Sequence, residues 1–388
     1  MPTPSQPKPL FDPILLFSFL FLLSLSLVMV ASASISITER YNVPDFYFTI
    51  HHAIYLGFSL CCFFLLTLIP IKYIEKFSIY SALSGIIFLT LVFIPGLSRL
   101  TNGSFRWIFL GPISIQASEF TKLLSIIYIA GYLVRRQENL RNKLSGFLVP
   151  LIILLTFDIL LLLEPDFGTM IIINCTALCL LFIAGIKLRY LLLLLSIASS
   201  IMVSLVFSSA YRLERIIAFL NPWDNQFDKG YQLVQSLIAF GRGGWFGIGL
   251  GGSVQKLLYL PEAYTDFIFA IIAEELGFIG AILVILLFSL IIIRCLTIAK
   301  IAILAKKKFM AYLTYGISFW LALQSIINIG VNIGLLPTKG LTLPFISYGG
   351  NSLLSVCMAL AIIFRIDFEL KTNYEQKNSL IICNSSAR

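Results

Sequence analysis

Unbroken apolar stretches, each of roughly 17 residues or more, recur from one end of this chain to the other, and each is long enough to cross a hydrocarbon core about 30 Å thick as a helix. About ten are legible, at 14–34, 50–70, 77–96, 114–134, 147–163, 168–186, 189–208, 265–293, 310–333 and 350–366. Of the 388 residues 59% are hydrophobic and 12% charged, where a soluble domain carries about 25% charged residues. A water-soluble fold is excluded, and the bilayer is the solvent. Inside hydrocarbon every backbone amide must be bonded within the protein. The chain lacks the alternating segments, about 10 residues long, of a membrane barrel. The expected fold is therefore all-α, a polytopic bundle of transmembrane helices.

The net charge of +9 raises the question of a polyanionic partner, which the placement of the charges answers. With both termini inside, the inner connections hold Lys72, Lys76, Arg135, Arg136, Arg141, Lys143, Lys187, Arg189, Arg294, Lys300 and Lys306 to Lys308. The short outer connections hold only Arg40, Arg99, Arg106 and Lys339. Basic residues on the inner side set the orientation of such bundles, so no nucleic acid is needed to explain the charge. Polar tails flank the bundle at 1–13 and 371–388, the second read as a disordered end or a docking peptide, with the membrane domain at 14–370. Ala31-Ser32-Ala33 resembles a signal cleavage site, but the apolar run before it exceeds the 7–15 residues or so of a signal h-region, so the first helix is expected to stay. The seven cysteines show no metal-ligand spacing with His51 and His52, and neither disulfides nor structural zinc are expected.

The outer segment 210–264, between the seventh and eighth spans, is too long to be a simple connection. It is aromatic, with Tyr211, Phe219, Trp223, Tyr231, Trp245 and Tyr259, and glycine-rich between Gly241 and Gly252. Such glycines allow positive φ and close backbone approach to a ligand. A flexible linker is the bland alternative. A phosphate loop lacks the strand that has to precede it.

The segment ends in Glu262 and Asp266 at the mouth of the eighth span. Near a helix N-terminus the dipole favours an anion while the surrounding lipid and protein disfavour one. Those opposing pulls set a carboxylate near the pKa that a general base needs, the alternative being a helix cap made by Thr265 or Asp266 itself. Glu119 and Lys122, three residues apart in the fourth span, are either functional or an internal ion pair. Asp158, Glu274 and Glu275 have no partner nearby in sequence and are expected to face the bundle interior or the cytoplasmic exit.

Four ordered segments carry a wider resemblance. They are 102–108 (Asn-Gly-Ser-Phe-Arg-Trp-Ile) with 116–123 (Gln-Ala-Ser-Glu-Phe-Thr-Lys-Leu); 164–169 (Glu-Pro-Asp-Phe-Gly-Thr); 221–223 (Asn-Pro-Trp) with 230–236 (Gly-Tyr-Gln-Leu-Val-Gln-Ser), leading to Gln255-Lys256 and the Asp266 stretch; and 334–350, which includes Gly-Leu-Thr-Leu-Pro-Phe before Ser347. From about residue 14 to 370 the chain resembles the shape, elongation, division and sporulation (SEDS) family, and the wording at 340–345 resembles its division-associated branch more than its elongation-associated one. It departs from the family at Tyr264, where histidine is common, at Ala117, where proline is common, and at Asn351, where serine is common.

The resemblance implies an enzyme that joins the disaccharide units of lipid II into peptidoglycan strands at the division septum of the bacterial inner membrane. A 4-hydroxyl attacks an anomeric carbon and displaces undecaprenyl pyrophosphate. It maps the family's essential carboxylate onto Asp266. Arg106, Lys122, Arg212, Arg215, Lys256 and Lys339 can supply charge to the leaving pyrophosphate, and Glu119, Asp166, Glu262 and Ser347 complete the substrate-binding set. A divalent cation, magnesium or manganese, is implied at the pyrophosphate, with no complete ligand set visible. The implied partners are a class B penicillin-binding protein, other division proteins and membrane lipid. Two other readings stay open: a lipid II flippase whose path Glu119, Lys122 and Asp158 would line, and a non-catalytic division scaffold.

Overall fold

The computed structural model of the chain describes residues 11–99, 104–111, 113–137, 145–207 and 210–386. Every apolar stretch is a helix: α1 (Pro13–Tyr41), α2 (Tyr47–Leu68), α3 (Ile71–Leu91), α4 (Ala117–Arg135), α5 (Ser145–Leu163), α6 (Phe167–Ile183), α7 (Leu188–Phe207), α10 (Ile268–Leu304), α11 (Lys308–Asn332) and α12 (Gly350–Ser386). Within the long segment 210–264 lie two further helices, α8 (Ala210–Leu220) and α9 (Tyr231–Gly243). Among the described residues six helices are long and apolar enough to cross a membrane, and α6 and residues 148–163 of α5 are shorter apolar helices.

Several ends differ from the sequence reading, each for a local reason. Helix α3 stops at Leu91 because the chain turns through Pro95 and Gly96, the latter at φ 90°. Residues 113–116 alternate apolar and polar, the period of a strand. They pair as β2 (Ile113–Gln116) antiparallel to β1 (Trp107–Leu110), so α4 starts at Ala117. Helix α12 runs on through the polar tail to Ser386, supported at its entry by i,i+4 pairs of Arg365 with Glu369 and Lys371 with Asp367.

The helices pack α1 and α9 on α10, α2 on α12, α3 on α4, and α4, α6 and α10 around α11. Ser18, Ser26, His52, Thr121 and Gln324 are buried, while Phe17, Phe64, Leu68, Ile159 and Leu163 are exposed. That inside-out pattern suits a multi-pass protein whose solvent is hydrocarbon, where small and polar residues join helices.

Helix α10, 37 residues, is broken at Gly277 (φ 72°, ψ −169°). Regular hydrogen bonding would run from Phe278 and Ile279 to the carbonyls of Glu274 and Glu275. Instead the Phe278 and Ile279 amides donate to Gly244 O (2.9 Å) and Trp245 O (3.2 Å), and the freed carbonyls accept from Ile248 N and Gly249 N (both 3.1 Å). The glycine-rich segment is thus a backbone clasp on the break. A Cβ on Gly243 would come within 1.9 Å of Ala273 O, one on Gly247 within 2.1 Å of Glu275 O, and one on Gly277 within 2.3 Å of Gly247 N.

Gly277→Ala adds this collision to a backbone conformation open essentially to glycine alone, which costs another residue about 1–3 kcal/mol. The purified variant is expected to lose several degrees of thermal stability, measured as the temperature at which its monodisperse chromatographic peak is halved. An unchanged midpoint would show that the clasp is not rigid.

Candidate active site

The connections α3–α4, α5–α6, α9–α10 and α11–α12 meet at one end of the bundle. Helix α6 begins where it does because Asp166 caps it, accepting from Thr169 N (3.2 Å) and Thr169 Oγ1 (2.9 Å). Arg106 reaches across from the segment before β1 and donates to the carbonyls of Glu164 (3.0 Å) and Pro165 (2.7 Å). Segment 338–343 lies over the start of α6: the Lys339 ammonium sits 5.6 Å from the centroid of the Phe167 ring, and a Cβ on Gly168 would strike Leu341 at 2.7 Å. Arg215 of α8 donates to Thr338 O at 3.4 Å.

Asp266 occupies the middle of this end. The turn before α10 is closed by Thr265 N and Phe267 N donating to Glu262 O, with Glu262 at φ 57°. Helix α10 then starts at Ile268, without a side-chain cap from Thr265 or Asp266. The capping alternative therefore fails, and the Asp266 carboxylate is left for other work. A Cβ on Gly340 would lie 3.3 Å from Asp266 Oδ2, a tight contact to which the carboxylate would have to give by a few tenths of an ångström. Burial, aided by the neighbouring Glu262 charge and opposed by Arg106, pushes Asp266 up to about 7 from the usual 3.8. Ser347 pins the same turn, donating to Thr265 O (2.6 Å) while accepting from Leu343 N (2.8 Å). Glu262 accepts from Thr265 Oγ1 at 2.7 Å.

Glu164, in the α5–α6 connection, is buried, with neither carboxyl oxygen hydrogen-bonded. Burial and the nearby Asp166 charge, against the pull of Arg106, push it up to about 9, so it is a neutral acid at pH 7.

Other residues singled out in the sequence lie elsewhere. Lys122 is buried in the core, donating to Glu119 Oε1 (2.8 Å) and Gln324 Oε1 (3.0 Å) and lying 5.3 Å from the centroid of the Trp320 ring. Lys256 is buried against Glu275 (2.7 Å) and Ser32 (2.8 Å). Glu274 is held by Arg242 at 3.3 Å, by Ser253 Oγ and by the amides of Val254 and Gln255. Asp158 accepts from Asn174 at 2.6 Å. Helix α8 carries Arg212, whose side chain lies outside the described residues. Among the described residues no three His, Cys, Asp or Glu side chains gather as a metal cage.

Three amides carry no charge to mark them in the sequence as site residues. Gln324, Asn328 and Asn332 are buried on one face of α11. Asn328 Nδ2 donates to Asp266 O (2.9 Å) and Leu341 O (2.6 Å), and Asn332 Nδ2 donates to Asp266 O (3.0 Å). Asn332 Oδ1 accepts from Ala270 N (3.1 Å), and Gln324 Nε2 donates to Thr342 O (2.9 Å). Their i, i+4, i+8 spacing within an apolar span was the available signal.

A family model described as Cell cycle protein, and carrying the names FtsW, RodA and SpoVE, matches residues 13–372. The chain belongs to this family. It is 49% identical over 365 residues, 94% of its own length and 93% of the relative's, to the probable peptidoglycan glycosyltransferase FtsW of Legionella pneumophila. The protein of the same description in Coxiella burnetii is 51% identical over 333 residues, covering 86% of this chain and 90% of that one. The fold matches a chain of a solved peptidoglycan synthase complex that coordinates polymerization and crosslinking, with a TM-score of 0.78 and 25% identity over 93% of this chain and 98% of that one. It also matches Thermus thermophilus RodA, a rod shape determining protein, with a TM-score of 0.67 and 24% identity over 92% and 96% of the two chains. The resemblance read from four motifs is thereby borne out at the level of the family.

The raised Asp266 carboxyl has a consequence for stability. An acid whose folded pKa exceeds its ordinary value is disfavoured by the fold when ionised, so stability falls as pH rises from about 4 and levels off above about 7. Asp266→Asn, equal in shape and without charge, is expected to melt at or above the parent's temperature at pH 8, with the advantage shrinking by pH 5. A variant melting lower at pH 8 than at pH 5, relative to the parent, contradicts this.

Proposed function

We propose that this chain is a peptidoglycan glycosyltransferase that polymerises lipid II into glycan strands during septal wall synthesis. The reading takes its substrate from the described activity of the relatives, and one observation carries it in this chain. Asp266 is a carboxylate raised to about 7, set against Gly340 at the mouth of a membrane bundle. At neutral pH such a group is half ionised, which suits a general base. The 4-hydroxyl of an N-acetylglucosamine gives its proton to Asp266 as its oxygen bonds to the anomeric carbon of the next unit. The bond from that carbon to undecaprenyl pyrophosphate breaks, and the leaving group takes the electron pair.

Arg106, Arg215 and Lys339 lie at the same end of the bundle and would supply positive charge to the diphosphate. Lys122 and Lys256 already neutralise buried carboxylates, so they are assigned to the scaffold rather than to the leaving group. Asp166 caps α6 and Ser347 pins the 265 turn, so both shape the site. A divalent cation fits here as the diphosphate's companion. Magnesium keeps several waters and takes few protein carboxylates, and Glu262 beside Asp266 is the acidic group available to it. When bound it would offset diphosphate charge.

The basic residues of the α2–α3, α4–α5, α6–α7 and α10–α11 connections put those ends in the cytoplasm. Both termini then lie inside, about ten helices span the inner membrane, and the site with segment 210–264 faces outward, where lipid II is consumed. The flippase reading loses its path, because Glu119, Lys122 and Asp158 are engaged with Gln324, with Asn174 and with each other. A class B penicillin-binding protein is the partner this reading implies, in keeping with the synthase complex that the fold matches.

The test is polymerisation of labelled lipid II by the full chain together with such a transpeptidase. The parent is expected to form glycan chains with a rate that rises with pH through about 7, and Asp266→Ala or Asp266→Asn to lower that rate at least about 100-fold, the usual scale for removing an acid-base group. Chains formed at the parental rate by Asp266→Asn would remove the base assignment. Transport of lipid II across liposomes by a chain that makes no glycan would favour the flippase instead.

A further inference from the structure

From the amide face of α11 we infer that Asn328 and Asn332 are positioning residues for glycosyl transfer, clamping the Asp266 turn and the Gly340–Leu341 segment at a fixed separation. The inference rests on the reading of Asp266 as the base.

The two backbones that form the reacting corner belong to different parts of the chain. One is the irregular turn leading into α10, where Asp266 sits, and the other is the extended segment before α12, where Gly340 leaves room for the carboxylate. No backbone hydrogen bond between residue 266 and residues 338–343 joins them directly. Asn328 joins them instead, its one NH2 group donating to Asp266 O (2.9 Å) and to Leu341 O (2.6 Å). Asn332 repeats the grip one turn on. It donates to Asp266 O and accepts from Ala270 N in the first turn of α10, an amide that it shares with Phe267 O (3.0 Å).

Both asparagines are buried, at 2% and 0% exposure, so their amides have no water to turn to. In their absence the Asp266 and Leu341 carbonyls would each lose a buried partner. The clamp is itself anchored. Asn332 Nδ2 also donates to Asn328 O, and one turn earlier Gln324 holds Thr342 O while accepting from Lys122 and Trp320. The buried Glu119–Lys122 pair thus stands behind the site through a chain of side chains on α11.

An asparagine that holds backbone touches neither sugar nor diphosphate. Its loss should misplace the base by a fraction of an ångström to an ångström, an error that lowers turnover steeply while leaving ground-state binding nearly intact. A loosened turn should also let the carboxylate leave its recess beside Gly340 and become better hydrated. The charged groups facing it are Glu262 from its own turn and Arg106 from the segment before β1. Both stay in place in the variants, so the change expected in the acid limb of the rate profile is toward lower pH.

The experiment uses the full chain with its transpeptidase partner and labelled lipid II, and compares the parent with Asn328→Leu, which is similar in size and has no amide, and with Asn328→Gln, which keeps the amide but moves it by one methylene. Both are expected to lower kcat, by about 10-fold or more for Asn328→Leu and less for Asn328→Gln. KM should stay within about threefold, and the acid limb should move down by at least half a pH unit. If Asn328→Leu does not accumulate as folded protein, Asn328→Gln decides alone. Parental kcat and an unmoved acid limb overturn the inference, as does a loss confined to KM, which would make Asn328 a substrate contact. Asp266→Asn in the same assay separates the two levels. An inactive Asp266→Asn beside fully active Asn328 variants rejects only the clamp, whereas an active Asp266→Asn rejects the base reading and the clamp with it.

Discussion

A backbone amide inside a membrane protein has no water to fall back on, and this fold is shaped by how that demand is met wherever a helix is interrupted. At Gly277 the interruption frees two N–H and two C=O groups, and the glycine-rich segment returns two carbonyls and two amides to them. Regular helix is exchanged for a backbone clasp with no loss in the number of bonds. The exchange needs backbones to approach within distances that a Cβ forbids, which explains glycine at 243, 247 and 277. It ties segment 210–264 to the helix that begins just after Asp266, so that long connection is structured rather than a free loop.

The charges follow a similar logic. An unpaired ion in the bundle is costly, and the deep ones are partnered: Lys122 with Glu119, Lys256 with Glu275, Arg242 with Glu274. Asp266 has no such cation in direct contact. Arg106 is near enough to moderate its pKa, yet Arg106 spends its hydrogen bonds on the carbonyls of Glu164 and Pro165. A buried carboxylate with no cation in direct contact, at the end of the bundle that also carries Arg106, Arg215 and Lys339, sets that end apart from the core. Glu164, nearby, meets the same problem by holding its proton.

Much of this was legible beforehand, for reasons that are themselves physical. Span positions follow from the length of apolar runs, because the thickness of hydrocarbon sets a fixed requirement. Asp266 stood out because a carboxylate at the edge of a span is expensive and therefore informative. The spacing of Glu119 and Lys122 allowed an ion pair, and the pair is there. The glycine run signals close backbone approach, and what approaches it is a broken helix. That partner sits some 30 residues further on, and its break rests on one glycine inside an otherwise regular apolar span. Gln324, Asn328 and Asn332 are hard to read from sequence because an amide carries no charge to mark it in a hydrophobic helix.

The sequence by itself determined the solvent, the helical class and the family, since these depend on composition, run length and local wording, each of which is complete within a short window. Tertiary structure alone decided which cations lie at the Asp266 end of the bundle and which are spent in the core, because a lysine's role is set by the carboxylate it meets, and Lys122 and Lys256 meet theirs only after the helices pack. It also decided that Asp266 is no helix cap. There the Ala270 amide in the first turn of α10 donates to Phe267 O and to Oδ1 of Asn332, 66 residues beyond Asp266, and not to the Asp266 carboxylate.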